Sequence, residues 1–399
     1  MIRNAIDLAC NVTHALQMYP PDYIRSVLGN PDSWCIQTCP PTELQLAACQ
    51  EWPKGLPALA HILVPALPWR PPGLNLPCAD LFFRPSSVFR YPAGRDVPDP
   101  TPRERWFFIN GICTDRGVVR LNAEYLHHLF ERPLTVLHNY TRGWLPDLAA
   151  CAVGKEWSRV TESATVAFPP IYAALKDKRC QRLILLAHSQ GTILSAVILE
   201  TLKELYPAAY AERTAAVTVA PEHAVARRLA QRWNFAGTMR AAQTGRKRPP
   251  AVPAAFEWPG YGLRHPEPVT LAEWRKLEIY CFANCASVML PVETIGRKRI
   301  PVPWIESYGN EKDIVARLGV LANATGPGSV EIGGDRYQRD GAWGHLLNAH
   351  YLYPMIESRR RKDPAGGFVP LAGRRASIPR LLAYLNAKSP PPLAANKIE

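Results

Sequence analysis

The chain has 399 residues, 47% hydrophobic and 20% charged, a globular composition that excludes a disordered or fibrous chain. Its 40 prolines are about twice the usual ~5% share, but they form no repeat, which excludes collagen-like, coiled-coil and solenoid organisation. Lys and Arg number 47 against 34 Asp and Glu, a net charge of +13 that favours anionic partners and says nothing about fold.

Three basic clusters, Arg246–Arg248, Arg297–Arg299 and Arg359–Lys362, read either as solvated loops or as anion-binding patches. No stretch interleaves basic and aromatic residues on one element, so nucleic acid is not an expected partner. The ten cysteines lack the paired CxxC spacing of a zinc site, and no metal is expected. Cys281 and Cys285 sit in an apolar run and read as small core residues of a protein in a reducing compartment. The N-terminus lacks a continuous apolar core of the signal-peptide kind. The most apolar early stretch, Leu59 to Trp69, is far shorter than the ~20 residues needed to cross a bilayer. A cytoplasmic protein is expected, with peripheral attachment to membranes left open.

In chain order, residues 1–100 read as a Pro-rich extension packed on a larger core, with helices over 2–18 and 41–51. Residues 94–104 form a boundary. Strands and helices then alternate: a strand at Trp106–Ile109, a helix over 117–131 and a strand at Leu134–Leu137. A helical stretch from 147 to 178, broken at Pro169-Pro170, leads to a strand at Leu183–Leu186 and a helix from Gly191 to Leu205. Residues 206–270 are irregular. Strands resume at Leu277–Phe282 and Val302–Ile305, and a helix from His345 to Ser358 precedes a C-terminal tail, 371–399. Apolar strands alternating with helices point to an α/β protein with a mostly parallel sheet flanked by helices.

The most informative stretch is Ala187-His-Ser189-Gln190-Gly191, where an apolar strand meets a helix in a tight turn. Such a turn exposes the serine hydroxyl above the carboxyl ends of the strands and backs it with the helix N-terminus. The blander alternative makes Ser189 an ordinary N-cap. A serine nucleophile needs a base, an acid to orient it and donors for an oxyanion. Asp313, in Asn310-Glu-Lys-Asp313-Ile-Val after a strand, is the candidate acid; alternatively it only caps the turn at 314–318. His345 and His350 compete as base. Five helical residues correspond to about 140° around the axis, so both cannot face one site. His345, after Gly344, is favoured, and His350 reads as a core histidine. The oxyanion donors would be the amides of Gln190 and, after the Asn110-Gly111 turn, Ile112.

These residues resemble the α/β-hydrolase superfamily, within it the lipase and esterase branch. Ala187–Thr192 resembles the lipase elbow, with alanine where glycine usually stands first. Tyr280–Cys285 and the Asn-x-x-Asp-x-Val loop at Asn310 are similar to class 3 lipases, over roughly 105–355. Asn110 stands where many relatives have histidine. The resemblance implies a catalytic domain over 101–370 with a cap or lid at 206–270, its Trp233, Phe235, Phe256, Trp258 and Tyr261 lining an acyl-binding surface or merely covering the sheet. It implies hydrolysis of a carboxylic ester, as in a lipase or phospholipase, through a Ser189–His345–Asp313 triad without cofactor or metal. The competing expectation is a non-catalytic relative that binds lipid or a protein partner.

Overall fold

A computed structural model of the chain describes residues 20–30, 38–48, 86–93, 101–112, 114–139, 162–205, 267–295, 300–322, 330–371 and 378–393, with positions 36 and 99. The helix expected at 2–18, the aromatic stretch 233–261 and the basic clusters 246–248 and 297–299 lie outside these residues, as does all but 267–270 of the expected cap.

The helices are α1 (Pro20–Leu28), α2 (Glu43–Ala48), α3 (Arg116–Phe130), α4 (Glu162–Lys176), α5 (Gln190–Glu204), α6 (Leu271–Trp274), α7 (Ile314–Arg317) and α8 (Tyr353–Arg360). The strands are β1 (Ser87–Tyr91), β2 (Glu104–Ile109), β3 (Leu134–His138), β4 (Arg182–His188), β5 (Leu277–Phe282), β6 (Val288–Met289), β7 (Glu293–Ile295), β8 (Ile300–Val302), β9 (Trp304–Asn310), β10 (Glu331–Ile332), β11 (Asp335–Arg339) and β12 (Val369–Pro370). Eight of them form one sheet in the order β1-β3-β2-β4-β5-β9-β11-β12. The six inner strands are parallel, and β1 and β12 close the edges antiparallel.

Strand periodicity assigns the two faces. Phe107, Ile109, Leu183, Leu185, Ala187, Ile279 and Cys281 pack under α4 and α5, with Phe168, Ile171, Leu194 and Val197. The alternate residues Trp106, Phe108, Ile184, Leu186, Tyr280 and Phe282 pack against Val119, Leu126 and Phe130 of α3, Met355 of α8 and the C-terminal Leu382 and Tyr384. Helices therefore cover both faces, the arrangement that near-continuous apolar strands require.

Three expectations need correction. Pro169 and Pro170 do not break α4, which runs through both. An interior proline costs about 3 kcal/mol, but Phe168, Ile171, Tyr172 and Leu175 are all buried on that helix, and each contributes about 1.5–3 kcal/mol. The Val302–Ile305 run divides at Pro303: β8 pairs with β7 in a separate hairpin, while β9 joins the main sheet. The helix expected from His345 begins at Leu347, as a six-residue π-turn that runs into α8.

The amino ends of the strands carry a buried ionic layer. Glu104 accepts from Arg132 at 3.2 Å and Arg182 at 3.3 Å, and Glu278 accepts from Arg380 at 3.0 Å. The guanidinium groups also hold the returning C-terminal segment. Arg132 donates to the carbonyls of Ala387 (2.8 Å) and Lys388 (3.1 Å), Arg182 to Pro390 (2.9 Å) and Arg380 to Pro391 (2.8 Å). Residues 378–393 of the expected tail thus pack on the sheet, with Leu381, Leu382 and Tyr384 buried. Glu306 accepts from the Arg380 and Leu381 amides at 2.7 and 3.2 Å, and burial pushes its pKa up to about 7. Among the described residues no helix is long and apolar enough to cross a membrane.

Removing one partner of a buried ion pair strands the other's charge, at about 3–5 kcal/mol. Arg132 is fully buried, so Arg132→Met should lower the urea midpoint by an amount equivalent to roughly 3 kcal/mol with the slope unchanged. A loss below about 1 kcal/mol, the range of exposed pairs, would show the layer to be solvated.

Candidate active site

The carboxyl ends of β2, β4, β5 and β9 converge opposite the ionic layer, and Ser189 stands at the tip of the turn between β4 and α5. Its backbone lies in the left-handed region at φ 55°, ψ −125°, a conformation that costs a non-glycine residue about 1–3 kcal/mol. Two contacts impose it. The Ser189 amide donates to the Phe282 carbonyl at 3.0 Å. Two residues on, α5 passes so close to β2 that a Cβ on Gly191 would lie 2.4 Å from the Ile109 carbonyl oxygen. Thr192 ties the turn down: its hydroxyl donates to the Ser189 carbonyl at 2.7 Å and accepts from the Cys285 amide at 3.1 Å.

Ser189 occupies the N-cap position of α5 but makes no side-chain capping bond. Its Oγ instead pairs with His345 Nε2 at 2.9 Å, and His345 Nδ1 pairs with Asp313 Oδ2 at 2.9 Å. The three residues, on three separate elements and up to 156 positions apart, form one hydrogen-bonded line. Asp313 makes both of the contacts that its two alternative readings require. Its Oδ1 accepts the Val315 amide at 2.8 Å and so caps α7, while Oδ2 serves His345.

His350 takes no part in that line. It is buried, its Nδ1 accepts the Leu346 amide at 2.9 Å, and burial lowers its pKa to about 4. His345 itself precedes the π-turn, so its ring is free of helical packing and reaches both partners.

The loop expected to supply an oxyanion donor lies against the serine. A Cβ on Gly111 would sit 2.7 Å from Ser189 Cβ. Ile112 follows directly, its carbonyl held by the Thr114 hydroxyl at 2.8 Å. Gln190 is the first residue of α5, so its amide belongs to the positive end of a 15-residue helix. Asn110 is more than a turn residue. It accepts the Asn139 amide at 2.8 Å and returns a bond to the Asn139 carbonyl at 3.1 Å, joining the ends of β2 and β3. Asn139 in turn donates to the Gln190 side chain and accepts from the Ser163 hydroxyl at 2.5 Å.

Sequence reasoning missed three contributors. Tyr351 donates its hydroxyl to Asp313 Oδ2 at 2.6 Å while accepting the Asn310 amide at 3.2 Å. Asn310 also donates to the Gly344 and His350 carbonyls at 3.0 and 3.1 Å, binding the Asp313 loop to the His345 loop. His188 pairs through Nε2 with the His345 carbonyl at 2.8 Å, its ring 4.7 Å from that of His345. Burial, with His345 adding to it, holds the His188 pKa well below the ordinary value; a neutral ring with its proton on Nε2 is the donor. Only their nearness to the Ser189, Asp313 and His345 motifs could have marked these residues.

The exposed cluster Arg359–Lys362 ends α8 as a solvated turn, with Arg360 paired to Glu357 at 2.7 Å. Comparison with protein-family models, curated proteins and solved structures finds no match.

A histidine kept neutral by the fold favours the folded state above its unfolded pKa, and that stability is lost as pH falls towards its folded value. For His350 the window runs from the ordinary ~6.5 down to about 4. The stability cost of His350→Gln should therefore be larger at pH 8 than at pH 5, by about 2 kcal/mol at 1.36 kcal/mol per pKa unit. Denaturant titrations of both proteins at the two pH values check this. An equal cost at both would mean that His350 titrates normally.

Proposed function

We propose that the chain is a serine hydrolase of the α/β-hydrolase kind that cleaves carboxylic esters through an acyl-enzyme. The observation that carries this reading is the line Ser189–His345–Asp313, with both links at 2.9 Å and the serine in a strained left-handed turn. An N-cap serine would aim its hydroxyl at its own helix; this one faces an imidazole.

In the proposed reaction Ser189 Oγ attacks the ester carbonyl carbon as His345 Nε2 takes the hydroxyl proton. The carbonyl electron pair moves onto oxygen, and the amides of Ile112 and Gln190 receive that oxyanion, a donor of this kind being worth about 10²–10³ in rate. The intermediate collapses, His345 gives its proton to the leaving alcohol, and the acyl group stays on Ser189. Water then repeats the sequence, releasing the acid. Asp313 accepts from Nδ1 throughout, fixing the tautomer and stabilising the imidazolium. Tyr351 and the Val315 amide hold the carboxylate in place. The route needs no metal or organic cofactor.

A lipase or phospholipase is the specific form proposed. The net charge of +13 supports an anionic interface as its working surface, each well-placed Lys or Arg contributing about 1 kcal/mol.

A fluorophosphonate probe should label Ser189 in the wild-type chain; a folded protein that stays unlabelled would instead favour a binding protein without catalysis. Ser189→Ala should remove about 10⁴–10⁶ of kcat on p-nitrophenyl esters, and adding His345→Ala should cost no more, because triad members act as a unit. More than a tenth of wild-type turnover in folded Ser189→Ala would remove it as nucleophile.

Charge attraction is screened within about 8 Å at physiological salt. Turnover on anionic vesicles should thus fall steeply as salt rises, while turnover of a soluble short-chain ester stays nearly flat. Parallel salt responses would deny the charge an interfacial role.

A further inference from the structure

Two segments far upstream of the sheet reach the base loop from behind. At the end of α1, the Val27 carbonyl accepts the His345 backbone amide at 2.9 Å. The Arg25 guanidinium lies 4.8 Å from the Trp343 ring centre, and the Lys312 ammonium, from the acid loop, lies 4.9 Å from the same ring. Gly29 packs against His350 so closely that a Cβ there would fall 2.2 Å from its Nε2.

The second segment brings a buried acid. Glu43, the first residue of α2, is 3% exposed, and no Lys or Arg among the described residues pairs with it. Its carboxylate accepts the backbone amides of Asn348 and Ala349 at 2.9 and 3.0 Å, and the Asn122 side chain at 2.6 Å. Asn122 donates to the Asn348 side chain as well, at 3.0 Å. Burial raises the Glu43 pKa.

The first amides of a helix have no acceptor within it and lie at its positive end. Leu346, at the cap position of the turn 347–352, has no side-chain oxygen to offer. Glu43 supplies that oxygen from about 300 positions away in the chain. A buried carboxylate is a poor device for stability alone, because its desolvation offsets much of what its bonds return. What it does well is fix register, since two directional bonds to consecutive amides admit one placement of the turn. That turn bears Tyr351, which holds Asp313, and the His350 carbonyl, which holds Asn310; His345 lies two residues ahead of it.

We propose that Glu43 is a positioning residue for the base: capping residues 347–352 from the N-terminal segment, it sets His345 and Tyr351 against Asp313. This rests on the triad reading above. The N-terminal segment would then be part of the catalytic apparatus rather than an appendage to it.

The test uses the full chain with Glu43→Ala and Glu43→Gln. Glu43→Ala should lower kcat on a short p-nitrophenyl ester, and the fluorophosphonate labelling rate, by between about tenfold and about 100-fold. KM should stay within about twofold. The downfield proton resonance of the His345 Nδ1–H to Asp313 bond, assigned by its loss in His345→Ala, should broaden or vanish. Glu43→Gln, which keeps one accepting oxygen, should fall between wild type and Glu43→Ala, and it carries the test alone if Glu43→Ala does not fold. Wild-type kcat with an intact resonance in either folded variant would overturn the proposal. A wild-type chain that resists the probe overturns the serine-hydrolase reading instead, and the resonance still reports whether Glu43 holds the pair.

Discussion

The arrangement of the site depends on one turn that the backbone would not adopt unaided. Between β4 and α5 the chain enters the left-handed region at Ser189, at a cost of about 1–3 kcal/mol. It stays there because both flanks are immobile: β4 is paired on each side, and α5 rests on β2 through a glycine with no room for a Cβ. A capping serine would relax into the extended conformation and bond its own helix. Held as it is, the hydroxyl projects away from α5, and His345 and Asp313 are placed relative to it.

Rigidity at that turn is matched at the opposite end of the same strands. The seven residues of β4 span roughly 20 Å at about 3.3 Å each, with Ser189 beyond one end and Arg182 at the other. Arg182 bonds Glu104 of β2, approaches Glu278 of β5 at 3.5 Å and holds the C-terminal segment. Strands that cannot slide at their amino ends deliver their carboxyl ends in register. The ionic layer and the site are therefore two ends of one mechanical unit, although no residue belongs to both.

How much of this was legible in the sequence follows from where each interaction lies along the chain. Local patterns carried the inner strands β2 to β5, α3 and α5, and the turn at Ser189, because apolar runs and a small-x-Ser-x-Gly motif are short-range signals. Asp313 and His345 were legible because each sits in a motif of its own. The edge strands β1 and β12 and the inner strand β11 escaped notice: β1 alternates, β11 is polar and β12 has only two residues, so only the neighbouring strand gives them a reason to be extended. The unbroken passage of α4 through two prolines was likewise unreadable, since it depends on burial against α5 and the sheet. The contacts of Glu43, Asn139 and His188 span from 24 to about 300 positions, and no periodicity encodes such pairings.

Three histidines, at 188, 345 and 350, crowd the loop that carries His345, and their environments differ. His188 and His350 are pushed towards neutrality by burial, and each is bonded to backbone: His188 to the His345 carbonyl, His350 to the Leu346 amide. A protonated ring at either place would set a second positive charge beside the imidazolium that the proposed reaction forms on His345, in a setting where charges interact more strongly than in water. Neutral, they act as spacers that orient His345 without competing for Asp313. Asp313 can then direct one carboxylate oxygen to His345 and Tyr351, and the other to the Val315 amide. Of the three rings, only that of His345 lies between a hydroxyl and a carboxylate, so it alone can take up a proton and keep a partner for the charge. The same logic accounts for anchoring the His345 loop and the turn after it through the Val27 carbonyl and the Glu43 carboxylate. Both are acceptors that bind backbone amides and leave the imidazole nitrogens to Ser189 and Asp313.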